Sequence, residues 1–311
     1  PFSFINNGGN EDLKLLFGAF GEGDNDDHLV VDDEGNVQFT ADKEGYKDAV
    51  KYFNEMYDKG LIDTEAFEQD WNTYVAKGKE KRYGVYFTWD KANISGMNES
   101  YDVLAVFAGP DGRKNVTRTN GMGFYRDRFV ITSANQNLEL TARWVDQMYE
   151  PLQSVQNNWG TYGDTEQANI FELKDGMLHH LDLAGEAPGE LRQKTEAVGP
   201  LAILDTYYGT VTTMPDDAKW RLDLMHEHYL PYVNNENNYP RVFLEKEQTD
   251  RLAKIETDMW DYIYRKRAEW ITNGKIDEEW DEYLAELERV GINEWLEIKQ
   301  AGYDTFVEGA K

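Results

Sequence analysis

From Asp216 to the end of the chain the sequence carries almost one kind of periodicity, and it is helical. Leu252, Ile255, Met259, Tyr262 and Ile263 recur at three- and four-residue spacing, which predicts a long helix over 246–273 closed by Gly274. Asp277 is placed to cap a helix over 278–290 that Gly291 ends, and Asn293 to cap one over 294–306. A further helix is expected over 216–229. About 70 residues are thus committed to amphipathic helices whose apolar faces must be covered by something else.

What comes before is mixed. Tyr46, Val50, Phe53 and Tyr57 form one stripe and predict a helix over 41–59, with Thr40 as N-cap, Gly60 as the left-handed terminator and Leu61 as its apolar contact. Helices are also expected over 12–17, 64–77 and 138–149. Strands are expected over 1–5, 37–39, 83–88, 102–107 and 124–132. The stretch 21–33, with Asp24, Asp26, Asp27, Asp32 and Asp33, reads as an acidic surface loop; it lacks the spacing of a calcium loop. Alternating strands and helices followed by a helical tail place the fold in the α/β class with a helix-rich C-terminal region.

Composition narrows the function. Lys plus Arg number 32 against 59 Asp plus Glu, a formal charge of −27, so polyanions such as nucleic acids and anionic membrane surfaces are repelled. Cysteine is absent, which removes thiol nucleophiles, thiolate metal sites and disulfides. No phosphate-binding glycine loop, nucleophile elbow or zinc-protease helix occurs. His226 and His228 lie two apart on a predicted helix and suit a shared metal poorly. No catalytic residue, metal ligand or cofactor is therefore assigned. A pair of acids for glycoside cleavage remains open, because so many acids offer pairs.

The distinctive chemistry is aromatic: nine Trp and nineteen Tyr, several beside expected loops. Trp89 and Asp90 directly follow a strand. Trp159 lies in the stretch 157–163, and Tyr207 and Tyr208 follow an apolar run. Tyr125, Arg126 and Arg128 share one expected strand. A sugar presents an apolar C–H face to a ring and a hydroxyl rim to Asp or Arg. These eight residues are the candidate ligand contacts.

Several segments carry a family resemblance: GYKDAVKYFNEMYDKGLID (45–63), the stretch from Trp71 to Trp89 with YVAKGK (74–79), WITNGKID (270–277) with WDEY (280–283), and GINEWLEIKQAGYD (291–304). Through them the chain resembles the extracellular solute-binding proteins of carbohydrate ABC importers, family 1, in the Gram-positive lipoprotein-type subgroup. The resemblance implies a type II periplasmic-binding-protein-like fold, with two lobes joined by hinge strands around a ligand cleft. It divides the chain into an α/β lobe (1–122), a hinge strand and part of the second lobe (123–200), and a second crossover with a helical C-terminal region packing on the lobes (201–311). It puts Trp89 on the cleft wall, and Tyr125, Arg126 and Arg128 near its floor. It implies a monomer that binds an oligosaccharide or other carbohydrate, performs no chemistry and hands its ligand to a membrane permease. It also implies an extracellular protein tethered by an N-terminal lipid. Family members are longer, so the chain is expected to match the C-terminal part of such a protein, with calcium, where relatives carry it, in an upstream segment. The competing readings are a glycoside hydrolase or lyase, and a helical interaction module built on 246–311.

Overall fold

The computed structural model describes residues 1–21, 23–25, 27–96, 99–116, 129–163, 169–182, 194, 199–214, 216–233 and 237–309. The elements, in chain order, are β1 (Phe2–Ser3), β2 (Leu29–Val31), β3 (Val37–Phe39), α1 (Glu44–Asp58), α2 (Trp71–Lys79), β4 (Val85–Tyr86), α3 (Leu138–Met148) and α4 (Pro151–Trp159). They continue with β5 (Phe171–Lys174), β6 (Met177–His180), α5 (Asp216–Leu224), α6 (Lys246–Asn273), α7 (Ile276–Val290) and α8 (Ile292–Gly309). Contacts divide the chain into two units, one made of Pro1–Met122 with Met225–Lys311 and the other of Gly123–Leu224.

The first unit is built around α1 and α6. The predicted stripe of α1 is its buried face: Tyr46, Ala49, Val50 and Phe53 are sealed. Phe53 stacks on Phe17 at 5.7 Å between centroids, and Phe17 meets Tyr46 edge-on at 5.2 Å. From α6, Leu252, Ile255, Met259, Ile263, Trp270 and Ile271 enter the same core. From α7 and α8 come Trp280, Tyr283, Leu287 and Trp295. The two most buried indoles keep their N–H groups paired, Trp270 donating to Glu279 (2.9 Å) and Trp295 to Glu256 (2.8 Å). Strands contribute little: β1 lies parallel to β4, Phe2 opposite Val85, and β2 pairs antiparallel with β3, Leu29 opposite Phe39.

Gly60 does terminate α1 at φ +69°. The Gly60 N–H reaches the Tyr57 carbonyl and that of Leu61 the Met56 carbonyl. The Leu61 side chain, expected to pack, is half exposed; its carbonyl instead accepts the Phe2 N–H at 2.8 Å, which anchors β1. Thr40 belongs to a separate turn over Thr40–Asp42, and Lys43 occupies the N-cap position of α1.

Local side-chain bonds override several expected elements. The helix expected over 64–77 is shortened to α2, because the Asp63 carboxylate captures the Glu65 N–H (3.2 Å) and Asp70 caps a new start through the Thr73 N–H (2.8 Å). The strand expected over 83–88 is only β4, since the Phe87 N–H goes to the Tyr74 hydroxyl (2.9 Å) rather than to a ladder. Residues 102–107 form no strand, and the chain just beyond them is bridged from Ala108 to Lys114 and from Val116 to Val233. Of the strand expected over 124–132, 129–132 belong to no strand and the rest lie outside the described residues. The helix expected over 216–229 stops at Leu224 and continues as a wider π turn over Met225–Tyr229.

The acidic stretch 21–33 is not simply a surface loop. Asp24, Asn25 and His28 are buried. Asp24 bonds His28 Nδ1 at 2.7 Å and also the Thr40 hydroxyl, while Asn25 accepts the Leu29 N–H at 3.0 Å. Nearby, Arg267 and Asp12 form a fully buried pair at 2.8 Å, and Asp12 accepts the N–H groups of Gly8 and Lys14 as well. Burial pushes the Asp12 carboxyl toward protonation; the charge and hydrogen bond of Arg267, together with the N–H groups of Lys14 and Gly8, outweigh it and hold the carboxyl below its ordinary range.

Among the described residues, the second unit has the smaller core. Val155, Ile170, Phe171 and Leu178 are its sealed core, with Leu152, Trp159, Tyr162, Ile203, Tyr207 and Val211 packed around them. Its hairpin, β5 with β6, turns through Asp175 and Gly176, both with positive φ (51° and 82°), the backbone of a tight two-residue turn.

Candidate functional site

The segment after β4 is held by phenols. Tyr74, Tyr83, Tyr86 and Tyr101 follow one another at centroid distances of 5.2, 6.1 and 5.2 Å. The Tyr83 hydroxyl donates to the Tyr74 carbonyl (3.0 Å) and that of Tyr101 to the Tyr83 carbonyl (2.8 Å). Tyr86 shares a 2.6 Å bond with Ser95. Burial pushes the Tyr74, Tyr83 and Tyr86 hydroxyls up, so they stay protonated at neutral pH. Sequence reading missed this ladder; its signal was the clustering of tyrosines on both sides of 83–88.

On this support sit Trp89 and Asp90. Asp90 is 7% exposed and caps the short turn Lys91–Asn93, accepting the Ala92 N–H at 2.9 Å; its carbonyl accepts the Thr88 hydroxyl, also at 2.9 Å. With its backbone fixed on both sides, Trp89 is 69% exposed. An indole left in water on a rigid turn has its apolar face free for a partner.

The other candidates fall elsewhere. Trp159 is the last residue of α4 and rests half-buried on the second unit's core, edge-on to His180 at 5.9 Å. Tyr207 closes the turn Asp205–Tyr207 and packs on the same core. Tyr208 follows it, half-buried, bridged to Thr212. Trp159, Tyr207 and Tyr208 thus share one unit, and Trp89 and Asp90 the other. Tyr125, Arg126 and Arg128 lie outside the described residues. His180 is held by the Thr213 hydroxyl on both its backbone N–H (3.0 Å) and its Nδ1 (2.9 Å), and burial pushes its imidazole down to about 4, so it is neutral at physiological pH.

Among the described residues no group of three His, Cys, Asp or Glu side chains is placed to hold a metal ion, and no helix is long and apolar enough to cross a membrane.

No protein-family model matches the chain. It is 66% identical over 308 residues to the fructooligosaccharide ABC transporter substrate-binding protein FusA of Streptococcus pneumoniae serotype 4, an alignment covering 98% of this chain and 57% of that protein. The solved structure of S. pneumoniae FusA in complex with kestose superposes with a TM-score of 0.90 at 65% identity, covering 99% of this chain and 63% of that one. A solute-binding protein associated with an HMO-binding ABC transporter, from Bifidobacterium longum infantis, shares the fold at a TM-score of 0.78 and 19% identity, covering 98% and 64%. Over nearly all its length the chain is similar in sequence and in fold to a substrate-binding protein of an ABC transporter, and it spans about three fifths of the length of the relatives it matches.

Proposed function

We propose that the chain contributes the sugar-contacting part of an ABC importer's substrate-binding subunit, which holds a fructooligosaccharide without altering it and presents it to a membrane permease. The carrying observation is 66% identity over 308 residues to a protein named for that sugar class. The exposed indole of Trp89 on its phenol-braced turn supports it, being a ring suited to a sugar face. In this reading Trp89, Asp90, Trp159, Tyr207 and Tyr208 contact ligand, with Tyr125, Arg126 and Arg128 supplying hydroxyl partners. Two lobes, drawn from 1–122, 123–200 and 201–311, close on the sugar, and closure is the signal to the permease. The grouping of 123–224 apart from the stretches on either side supports a chain that crosses between lobes twice. An extracellular, lipid-tethered location is part of the same proposal.

The test is a chimaera in which this chain replaces the matching region of pneumococcal FusA. Calorimetry with kestose is expected to give saturable binding and an unchanged sugar on recovery. A folded chimaera that ignores kestose overturns the sugar assignment, and cleavage products overturn the non-catalytic one.

A further inference from the structure

In the core of the first unit, sealed polar atoms on three neighbouring side chains have no hydrogen-bond partner among the described residues: His28 Nε2, the Tyr46 hydroxyl, and Nε and Nη1 of Arg267. The three side chains belong to one closed ring of contacts. Arg267 Cζ lies 5.9 Å from the Phe17 ring, Phe17 meets Tyr46 at 5.2 Å, and Tyr46 meets His28 at 5.4 Å. His28 then meets Trp260 at 6.2 Å, Trp260 stacks on Tyr264 at 6.0 Å, and the Tyr264 ring returns to Arg267 Cζ at 5.1 Å. Each base already serves a carboxylate through one nitrogen: Arg267 reaches Asp12 through Nη2 (2.8 Å), and His28 reaches Asp24 through Nδ1 (2.7 Å). Burial pushes the Tyr46 hydroxyl up, and the charge that acts on it most is that of Arg267.

Three states of this ring can be weighed. A dry ring leaves a guanidinium with two unmade bonds inside an apolar core, which is costly. A small anion suits the donors but brings a third negative charge beside Asp12 and Asp24, in a chain of formal charge −27. A water molecule is neutral. It accepts from Arg267, and it can donate to the Tyr46 oxygen or to Nε2 of a neutral His28 whose Nδ1 proton faces Asp24. That meets the two to four polar partners a buried water takes.

We infer that a structural water is bound within this ring, accepting from Arg267 and shared with Tyr46 and His28, and that it ties the buried Arg267–Asp12 and His28–Asp24 pairs into one network. It thereby fastens α6 to α1 and to the stretch 24–28, where no side chain reaches across directly. Tyr46→Phe in the pneumococcal chimaera tests it, because wet and dry rings give opposite signs. With the water in place, the variant removes one of its partners and is expected to lower the Tm by about 3 °C. In a dry ring the same change deletes an unpaired buried hydroxyl, and an unchanged or raised Tm overturns the inference. A high-resolution crystal structure of the chimaera grown in sodium bromide is the second readout. It is expected to show an oxygen-sized peak within hydrogen-bond distance of Arg267 and of Tyr46 Oη or His28 Nε2, without anomalous scattering from bromine. An empty ring, a direct Arg267–Tyr46 bond, or bromide at the site each overturns the inference. Neither readout involves kestose, so this proposal and the sugar assignment fall separately.

Discussion

The two units differ in what holds them. The first seals aromatic and aliphatic side chains from both ends of the sequence into one core and buries a charged pair within it. Among the described residues, the second closes over four sealed apolar side chains and leaves one face of an amphipathic helix exposed. Stability should therefore be unevenly distributed, with the first unit cooperative and sensitive to its buried polar pair and the second marginal by itself. Exposed side chains also mean different things in each. Trp89 stands out from a well-braced turn, whereas Leu140 and Trp144 stand out because their face is unpartnered.

Removing one member of the buried pair should have the largest effect. Asp12→Ala strands the Arg267 guanidinium, already bonded only through Nη2 among the described residues, in a sealed core. The expected cost is about 3–5 kcal/mol, read by urea denaturation of the first unit. A loss below about 1 kcal/mol would mean that the core tolerates a lone charge, and the contrast between units would weaken.

Next comes a paired comparison of indoles. Trp89→Ala in the chimaera should weaken kestose binding on the order of 30-fold, the equivalent of burying one aromatic face, and leave the Tm unchanged. Trp159→Ala should lower the Tm as well, because Trp159 packs on the second unit's core. Calorimetry and thermal melts on the same two variants check both. A Tm drop for Trp89→Ala would show that its ring has a structural contact.

How far the sequence revealed this architecture depended on the range of the forces involved. α1, α6, α7 and α8 could be read directly, since each carries a long apolar period that burial rewards wherever the helix docks. Among the strands β3 matches its expected span, 37–39, but β1 and β4 are shorter than expected because distant groups fix them: β1 depends on residues 61 and 85, and β4 ends because Tyr74 takes the next amide. The acidic stretch misled for a similar reason. Asp24 is accepted in the core because His28 and Thr40 meet it there, a pairing that no spacing signals. At the candidate site, residue type and position after a strand single out Trp89, but only packing distinguishes it from Trp159 and Tyr207, whose rings are partly used.

The second unit should also be the pH-sensitive one. His180 has a folded pKa of about 4, below its unfolded value of 6.5, so the unfolded state takes up the proton first. Stability is full above pH 6.5 and falls as pH drops from 6.5 toward 4. Allowing for its partial exposure, the loss is about 1–2 kcal/mol. His180→Gln should flatten this slope, measured as the melting temperature of the second unit between pH 4 and 7. A slope unchanged by the substitution would move the effect to other groups.

The smallest expected effect is the most informative about the uncovered helix. Leu140→Gln and Leu287→Gln make the same chemical change on two amphipathic helices, α3 and α7. Leu287 is 1% exposed, so the change removes a buried side chain and places an amide in an apolar core, at a cost of about 3 kcal/mol. Leu140 is 68% exposed in the chain alone, where Gln has nearly the same helix propensity, so the change should stay within about 0.5 kcal/mol. Denaturant midpoints for both variants check the contrast. A loss above about 1 kcal/mol for Leu140→Gln would show that the α3 face is packed, and the difference between the two units would shrink.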